Sequence, residues 1–370
     1  MQPDIKTVCK SELCTGCKAC ENVCRKDAVR VIDNIDSYSA VIDADKCVNC
    51  GLCDKVCPNN SPRDLQDPVW WFQGWTEPDI RSTSSSGGAA TALIKIFIEM
   101  GGYVASCMFE EGEVKFVITN DIKRARKFAG SKYVKSNPGK IYNEVNEYLK
   151  KGEKVLFIGL PCQSAAVQNI CGDNKNLYTA DLICHGTPSV TILNKYLKDH
   201  GYDINVIKDL KFRDNNDFGL IVDGRRLAPK KAPDNYIWAF LMCSDYTENC
   251  YNCRYATRKR VSDITLGDAW GQLSDTDDKG VSLILCQTDK GRYLFGRAGM
   301  YSTDVDLEKA VNSNPQLSYP TRKPAERQVL ISSLKEGKTL DAAVKKAFPK
   351  QSFKRSVKKI LIKMSIIKDN

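Results

Sequence analysis

Eight cysteines fall in two matching runs, Cys14-x2-Cys17-x2-Cys20-x3-Cys24 and Cys47-x2-Cys50-x2-Cys53-x3-Cys57, the second followed by Pro58. Thiolates at this spacing hold pairs of iron–sulfur cubanes, three from each run on one cluster and the fourth crossing to the other. The spacing assigns Cys14, Cys17, Cys20 and Cys57 to one [4Fe–4S] cluster, and Cys47, Cys50, Cys53 and Cys24 to a second. Such clusters take up and release single electrons at low potential. Structural zinc usually takes two separated Cys-x2-Cys pairs, not a three-cysteine run plus a fourth, repeated. A disulfide framework suits a secreted chain, and residues 1–15 hold no apolar signal-peptide core. Arg25 stands where a proline often follows such a run, which changes the turn and not the ligands.

A second group of thiols is spread through the sequence. Cys162 sits where a strand turns into a helix, Cys184 ends the next strand before His185-Gly186, and Cys250-x2-Cys253 lies on a loop. In an α/β fold the C-terminal ends of neighbouring strands converge on one edge, where sites form. Four thiols meeting there could hold a third [4Fe–4S] cluster. The residues leave other readings open: an activated thiol at a helix N-terminus for Cys162, half a zinc site for Cys250 and Cys253, a buried apolar filler for Cys184. Cys9, Cys107, Cys171, Cys243 and Cys286 match no pattern and read as core or surface thiols.

The elements that must position these groups follow from periodicity and breakers. Pro58 to Pro62 and Pro68 end the cysteine-rich part, giving a ferredoxin-type domain over residues 1–62. Residues 63–80 read as an aromatic linker, with Trp70, Trp71, Phe72 and Trp75 set to pack on the ferredoxin module or to stack on a flavin. From residue 81 to 320, strand and helix alternate. Helices are expected at Ala89–Met100, from Pro138, from Pro161 and from Pro188 to His200. Strands are expected at Val104–Phe109, Val114–Thr119, Val155–Ile158 and Leu177–Cys184. The fold class is therefore a bacterial ferredoxin-like α+β module followed by an α/β domain, with a helical basic tail over residues 321–370. Ser84-Ser85-Ser86-Gly87-Gly88 opens a helix and offers free N–H groups to an anion, or simply caps a closely packed helix. No G-x-G-x-x-G stands after a strand, so a Rossmann site is not supported.

With 370 residues, 42% of them hydrophobic, the chain can bury a sizeable core. Seventeen cysteines in a chain read as cytoplasmic point to metal and redox chemistry rather than cross-links. The formal net charge of +10 is uneven, and residues 350–370 alone carry +6. Nothing resembles a nucleic-acid module, so that partner is not expected. No apolar run is long enough to span a bilayer. Phe353, Val357, Ile360, Leu361, Met364 and Ile367 recur at helical spacing among Lys354, Arg355, Lys358, Lys359, Lys363 and Lys368. That is a basic amphipathic helix, suited to peripheral membrane contact or to docking on the protein's own core.

Read together, the motifs resemble the beta subunit family of coenzyme F420 hydrogenase/dehydrogenase. The matching stretches are Ser84 to Gly88, Gly130-Ser131-Lys132-Tyr133-Val134, Lys154 to Gln163 (KVLFIGLPCQ), Asp181 to Ser189 (DLICHGTPS), Cys250-x2-Cys253, Ser262 to Gly271 (SDITLGDAWG), Gly280 to Leu283 and Thr288-x2-Gly291. They run in order from about residue 8 to about residue 300. The resemblance implies an α/β domain that binds FAD and an additional [4Fe–4S] cluster on Cys162, Cys184, Cys250 and Cys253. Ser85, Ser86, Gly87, Gly88, Ser131, Lys132 and Tyr133 would border the FAD. It implies an oxidoreductase taking electrons from ferredoxin or another low-potential donor to a small-molecule substrate. That substrate is coenzyme F420 in the archetypal members, and similar bacterial chains accompany surface-polysaccharide genes. The alternative is an electron-relay subunit of a larger redox complex without its own substrate site. No catalytic residue is assigned: if a proton donor is needed, His185 is the first candidate and Asp263 and Asp268 the next, against a structural role beside the cluster for His185 and loop-shaping hydrogen bonds for the aspartates.

Overall fold

The computed structural model describes residues 6–214, 217–271 and 279–364. Its N-terminal module is a hairpin of β1 (Val29–Asp33) and β2 (Tyr38–Ile42) with two one-turn helices, Ala19–Val23 and Leu52–Val56. Its core is mostly cysteine and small apolar side chains, among them Val8, Ala40 and Ile42.

The remaining strands are β3 (Trp70–Trp75), β4 (Tyr103–Glu110), β5 (Glu113–Thr119), β6 (Val155–Gly159), β7 (Leu177–Leu182), β8 (Leu210–Asp214), β9 (Asp217–Val222), β10 (Arg225–Arg226), β11 (Ile264–Asp268), β12 (Ser282–Cys286) and β13 (Tyr301–Asp304). An eight-stranded mixed sheet runs β13-β3-β12-β11-β7-β6-β4-β5, and β8, β9 and β10 form a second, three-stranded sheet. The neighbours β4, β6, β7 and β11 are parallel, whereas the pairs at both flanks are antiparallel. β6 reads Val-Leu-Phe-Ile-Gly and is buried along its whole length, as a strand covered on both faces must be. Helices Ala89–Glu99 and Ile141–Lys150 each bury an apolar stripe, and helix Pro161–Cys171 is buried all round from Pro161 to Val167. The C-terminal ends of β6 and β7 thus come to one edge, carrying Cys162 and Cys184.

Two expectations about domain layout are corrected. Residues 63–80 are not a linker: β3 lies between β12 and β13 and pairs with both along its length. Its aromatic residues pack within this sheet layer, Phe72 on Phe295 and Trp75 beside Tyr301, rather than on the ferredoxin module. Residues 321–370, expected as a helical basic tail, are helical over their described part but largely belong to the domain's core. Helices Glu326–Lys335 and Leu340–Ala347 put Leu330, Ile331, Leu334, Leu340 and Val344 into a core shared with β8, β9 and helix Asn235–Leu241. Only helix Pro349–Lys363 leaves that core; Ile367 and Lys368 lie outside the described residues.

The N-terminal module is built into the larger domain. Cys17, Ala19 and Val56 share a core with Phe116, Ile141, Tyr142 and Phe157. Asn22 donates to the Gly139 carbonyl at 2.7 Å, Asn169 to the Ser61 carbonyl at 2.8 Å, and Ser189 to the Asp33 carboxylate at 2.6 Å. Buried hydrogen bonds of this kind fix the module's position, because leaving either partner unmade costs its desolvation.

Candidate functional site

Cys14, Cys17, Cys20 and Cys57 line one small cavity, so the fourth thiol of the second run joins three of the first. Cys53 lies within the electrostatic reach of Cys47 and Cys24, and Cys50 is exposed. The first set is therefore interior and the second superficial. Gly16 and Gly51 turn the chain through positive φ (+65° and +71°) inside the two runs; at Gly16 a Cβ would strike the Tyr38 ring. Cys9, which the spacing did not connect to anything, lines the first cavity as well. Its thiol bonds Cys14 and Cys57, and this contact, ahead of the opposing burial, pulls the Cys57 thiol down to about 6. Burial pushes Cys17 up to about 12. A bound metal reverses that penalty, since a coordinating thiol is deprotonated outright.

Cys162, Cys184, Cys250 and Cys253 line a second cavity of about 230 Å³. They come from three separate segments. Cys162 is the second residue of helix Pro161–Cys171, whose start is set by Pro161 and by the Gln163 side chain accepting the Leu160 N–H at 3.0 Å. Cys184 follows β7 by two residues, and the turn after it closes at Gly186, where a Cβ would run into the Tyr246 ring. Cys250 and Cys253 sit in and just after the short 3₁₀ turn Glu248–Asn252. The Asn249 amide donates to the Cys250 sulfur at 3.6 Å, and the Thr247 hydroxyl lies 3.6 Å from it. Burial pushes the Cys253 thiol up to about 12 and raises Cys162 and Cys184 too.

Two buried cations line the same cavity, beside the exposed Arg254, and sequence reading missed both. Lys135 is 7% exposed, and no carboxylate within ion-pair distance is found for it among the described residues. Burial alone would pull its ammonium down, but Cys162, Cys250, Cys184 and Cys17 around it win and hold it above its ordinary value. Arg260 is fully buried, 4.0 Å from an Asp181 carboxylate oxygen. Four thiols and two buried cations make a donor set that fits an anionic thiolate-bound cluster. Thr15 and Asn59 line both cavities, so the interior ferredoxin set and this second set share a wall.

The other site residues divide. Ser85 accepts the Ser131 N–H at 2.7 Å, which joins the two segments, and the Ser86 hydroxyl is buried without a partner among the described residues. Tyr133 stacks on Phe240 and takes a hydrogen bond from Arg213, which also pairs with Asp268 at 3.3 Å. Gly87 and Gly88 instead answer to packing: a Cβ at either would collide with β3 or its Thr76 extension, and with Ser282 at Gly87. The Lys132 ammonium is engaged by the carbonyls of Phe128, Ala129 and Gly130. Of these residues only Ser86 offers a buried polar atom with no partner among the described residues, which a polar ligand such as FAD could take up, whereas Ser85, Ser131, Tyr133, the two glycines and Lys132 are engaged within the fold. His185 lies exposed at the second cavity's wall, its carbonyl bonded by Thr321. Asp263 is structural, bonding Thr179, Thr288 and Lys290.

Two families match the chain: residues 13–61 match the 4Fe-4S dicluster domain, and residues 152–309 match the C terminus of the coenzyme F420 hydrogenase/dehydrogenase beta subunit. No curated protein matches at a significant level. Among solved structures, the F420-reducing [NiFe] hydrogenase complex from Methanosarcina barkeri, studied as a xenon derivative, contains a chain 18% identical, aligned over 70% of this chain and 97% of that one with a TM-score of 0.46. The chain thus has one stretch similar to a 4Fe–4S dicluster domain and one similar to the C terminus of coenzyme F420 hydrogenase/dehydrogenase beta subunits, a likeness that makes it an iron–sulfur protein of the electron-transfer kind.

Proposed function

We propose that this chain is an iron–sulfur flavoprotein oxidoreductase, which takes electrons from ferredoxin or a similar low-potential donor and uses them to reduce a small molecule. The observation that carries this reading is the convergence of Cys162, Cys184, Cys250 and Cys253 on one cavity that shares Thr15 and Asn59 with the interior ferredoxin thiols.

In this reading those four thiols hold a third [4Fe–4S] cluster, and Ser85, Ser86, Ser131 and Tyr133 border FAD. When bound, these groups supply one-electron storage and, at the flavin, exchange between one-electron and two-electron chemistry. The protein's own part is electrostatic and steric. Lys135 and Arg260 offset negative charge in a dry interior, where such an interaction is worth far more than in water. Asn249 and Thr247 orient the Cys250 sulfur. The superficial position of Cys50 puts the outer ferredoxin set where a donor protein can approach. Arg213, Asp268 and Tyr133 form a charged and aromatic group at the C-terminal end of β11, suited to orient a polar substrate.

The test is anaerobic purification with iron, acid-labile sulfide and flavin quantified on the same sample. Three clusters imply roughly 12 iron atoms per chain and two imply roughly 8. The reading requires the higher figure and close to one flavin; about 8 iron with no flavin after reconstitution defeats it.

A further inference from the structure

Helix Pro349–Lys363 is attached to the protein by its polar face. Arg355 donates to Asn235 at 2.8 Å and to the Pro233 carbonyl at 2.6 Å, and its guanidinium lies 4.4 Å from the Trp238 ring centroid. Lys358 donates to the Lys231 carbonyl at 2.8 Å. At ~100° per residue, Ser352, Arg355, Lys359 and Ile362 lie on this attached side, and each is partly covered. Phe353, Val357, Ile360 and Met364 lie on the opposite side, within an arc of about 60°. They are 71%, 39%, 55% and 63% exposed. The docking anticipated for the apolar face is thus inverted: the cations hold the helix down, and the apolar stripe faces outward.

The surroundings of the stripe say what covers it. Between Asp341 and Asp369 the chain has nine Lys or Arg and no Asp or Glu. Lys350 and Lys354 lie beside the stripe and are exposed. A second copy placed on it would bring these lysines against their own counterparts without a carboxylate on the helix to answer them. Four side chains are also too few for the roughly 800 Å² per partner of a stable protein interface. A polyanion such as nucleic acid would use the lysines and leave Phe353 and Ile360 in water. An anionic lipid surface takes both, with the apolar side chains about 5–10 Å into the headgroup boundary and the lysines at the phosphates. No helix among the described residues is long and apolar enough to cross a membrane.

We infer that helix Pro349–Lys363 is a monotopic anchor that lays this protein on an anionic membrane surface through Phe353, Val357, Ile360 and Met364. This inference stands on the helix alone and is independent of the reading of the redox site.

The test is flotation of the full-length, cluster-loaded chain with vesicles of phosphatidylcholine, with and without about one-third phosphatidylserine, at low and high salt. Binding is expected only with phosphatidylserine and is expected to weaken with salt. Phe353→Ser with Ile360→Ser should weaken it at least about tenfold, and Lys350→Glu or Lys354→Glu about fivefold or more each. Visible absorption of these variants should be unchanged, since Phe353, Ile360, Lys350 and Lys354 are exposed and line neither thiol cavity. A Phe353→Trp variant should be quenched by brominated acyl chains. Failure to float with anionic vesicles at low salt overturns the inference. So does equal binding by the stripe variant, or a wild-type dimer that the stripe variant converts to monomers.

Discussion

Replacing Cys250 and Cys253 together by alanine separates the two thiol sets. Both residues lie in or beside one five-residue 3₁₀ turn, and neither belongs to the sheet or to the ferredoxin module. Each change removes one small side chain, a loss of about 1 kcal/mol, against a total stability on the order of 5–15 kcal/mol. The fold is therefore expected to survive, while the cavity keeps Cys162 and Cys184, too few thiolates for a cubane. Iron after anaerobic reconstitution should fall from roughly 12 to roughly 8 per chain, with acid-labile sulfide in parallel. The reduced-state EPR signals of the ferredoxin clusters should persist. Cys286→Ala is the control: Cys286 is fully buried in β12 outside both cavities, so its loss costs at least as much packing but no iron. An unchanged iron content in the double variant refutes the assignment. A fall to roughly 4 or less refutes it as well, because it would mean the two cavities are not independent sites.

Lys135→Met should make the second cavity's cluster harder to reduce, because a buried positive charge worth about 2 kcal/mol at an effective dielectric near 20 is lost; the shift is on the order of −100 mV by EPR-monitored titration. Lys135→Arg should restore most of it, and an unchanged potential in the methionine variant would show that Lys135 only fills space. Burial pushes the Asp245 carboxyl up to about 8, against the smaller opposing pull of Arg327. Its folded pKa thus exceeds the unfolded value near 3.9, so the group favours the fold fully below pH ~4, and that contribution is lost as pH rises through ~8. Asp245→Asn should accordingly stabilise the protein at pH 7 by a few kcal/mol and flatten denaturation midpoints between pH ~5 and ~8; a variant less stable at pH 8 than the parent argues against it. Gly186→Ala should cost about 1–3 kcal/mol, from positive φ and the Tyr246 ring together, and should lower iron in the second cavity before the first.

The ferredoxin thiols were legible in the sequence because their geometry is local: each run of three, Cys14 to Cys20 and Cys47 to Cys53, is held by one short loop and helix. The parallel strands were legible for a similar reason, as continuous apolar runs such as Val155 to Ile158 bounded by Gly159 and Pro161. The convergence of Cys162, Cys184, Cys250 and Cys253 was legible only as one reading among several. Each thiol is placed by a different segment, and only the parallel order of β6, β7 and β11, with the 3₁₀ turn brought over their ends, puts them around one cavity. Lys135 carries no sequence signal either, since a buried lysine and an exposed one look the same until the fold surrounds it. Residues 63–80 misled because strand pairing is long-range: Trp70 to Trp75 joins the sheet only through β12 and β13, which lie more than 200 residues later. Periodicity displayed both faces of helix Pro349–Lys363 but could not say which one the protein would bury. Tertiary contact decided that, through Arg355 and its bonds to Asn235 and Pro233.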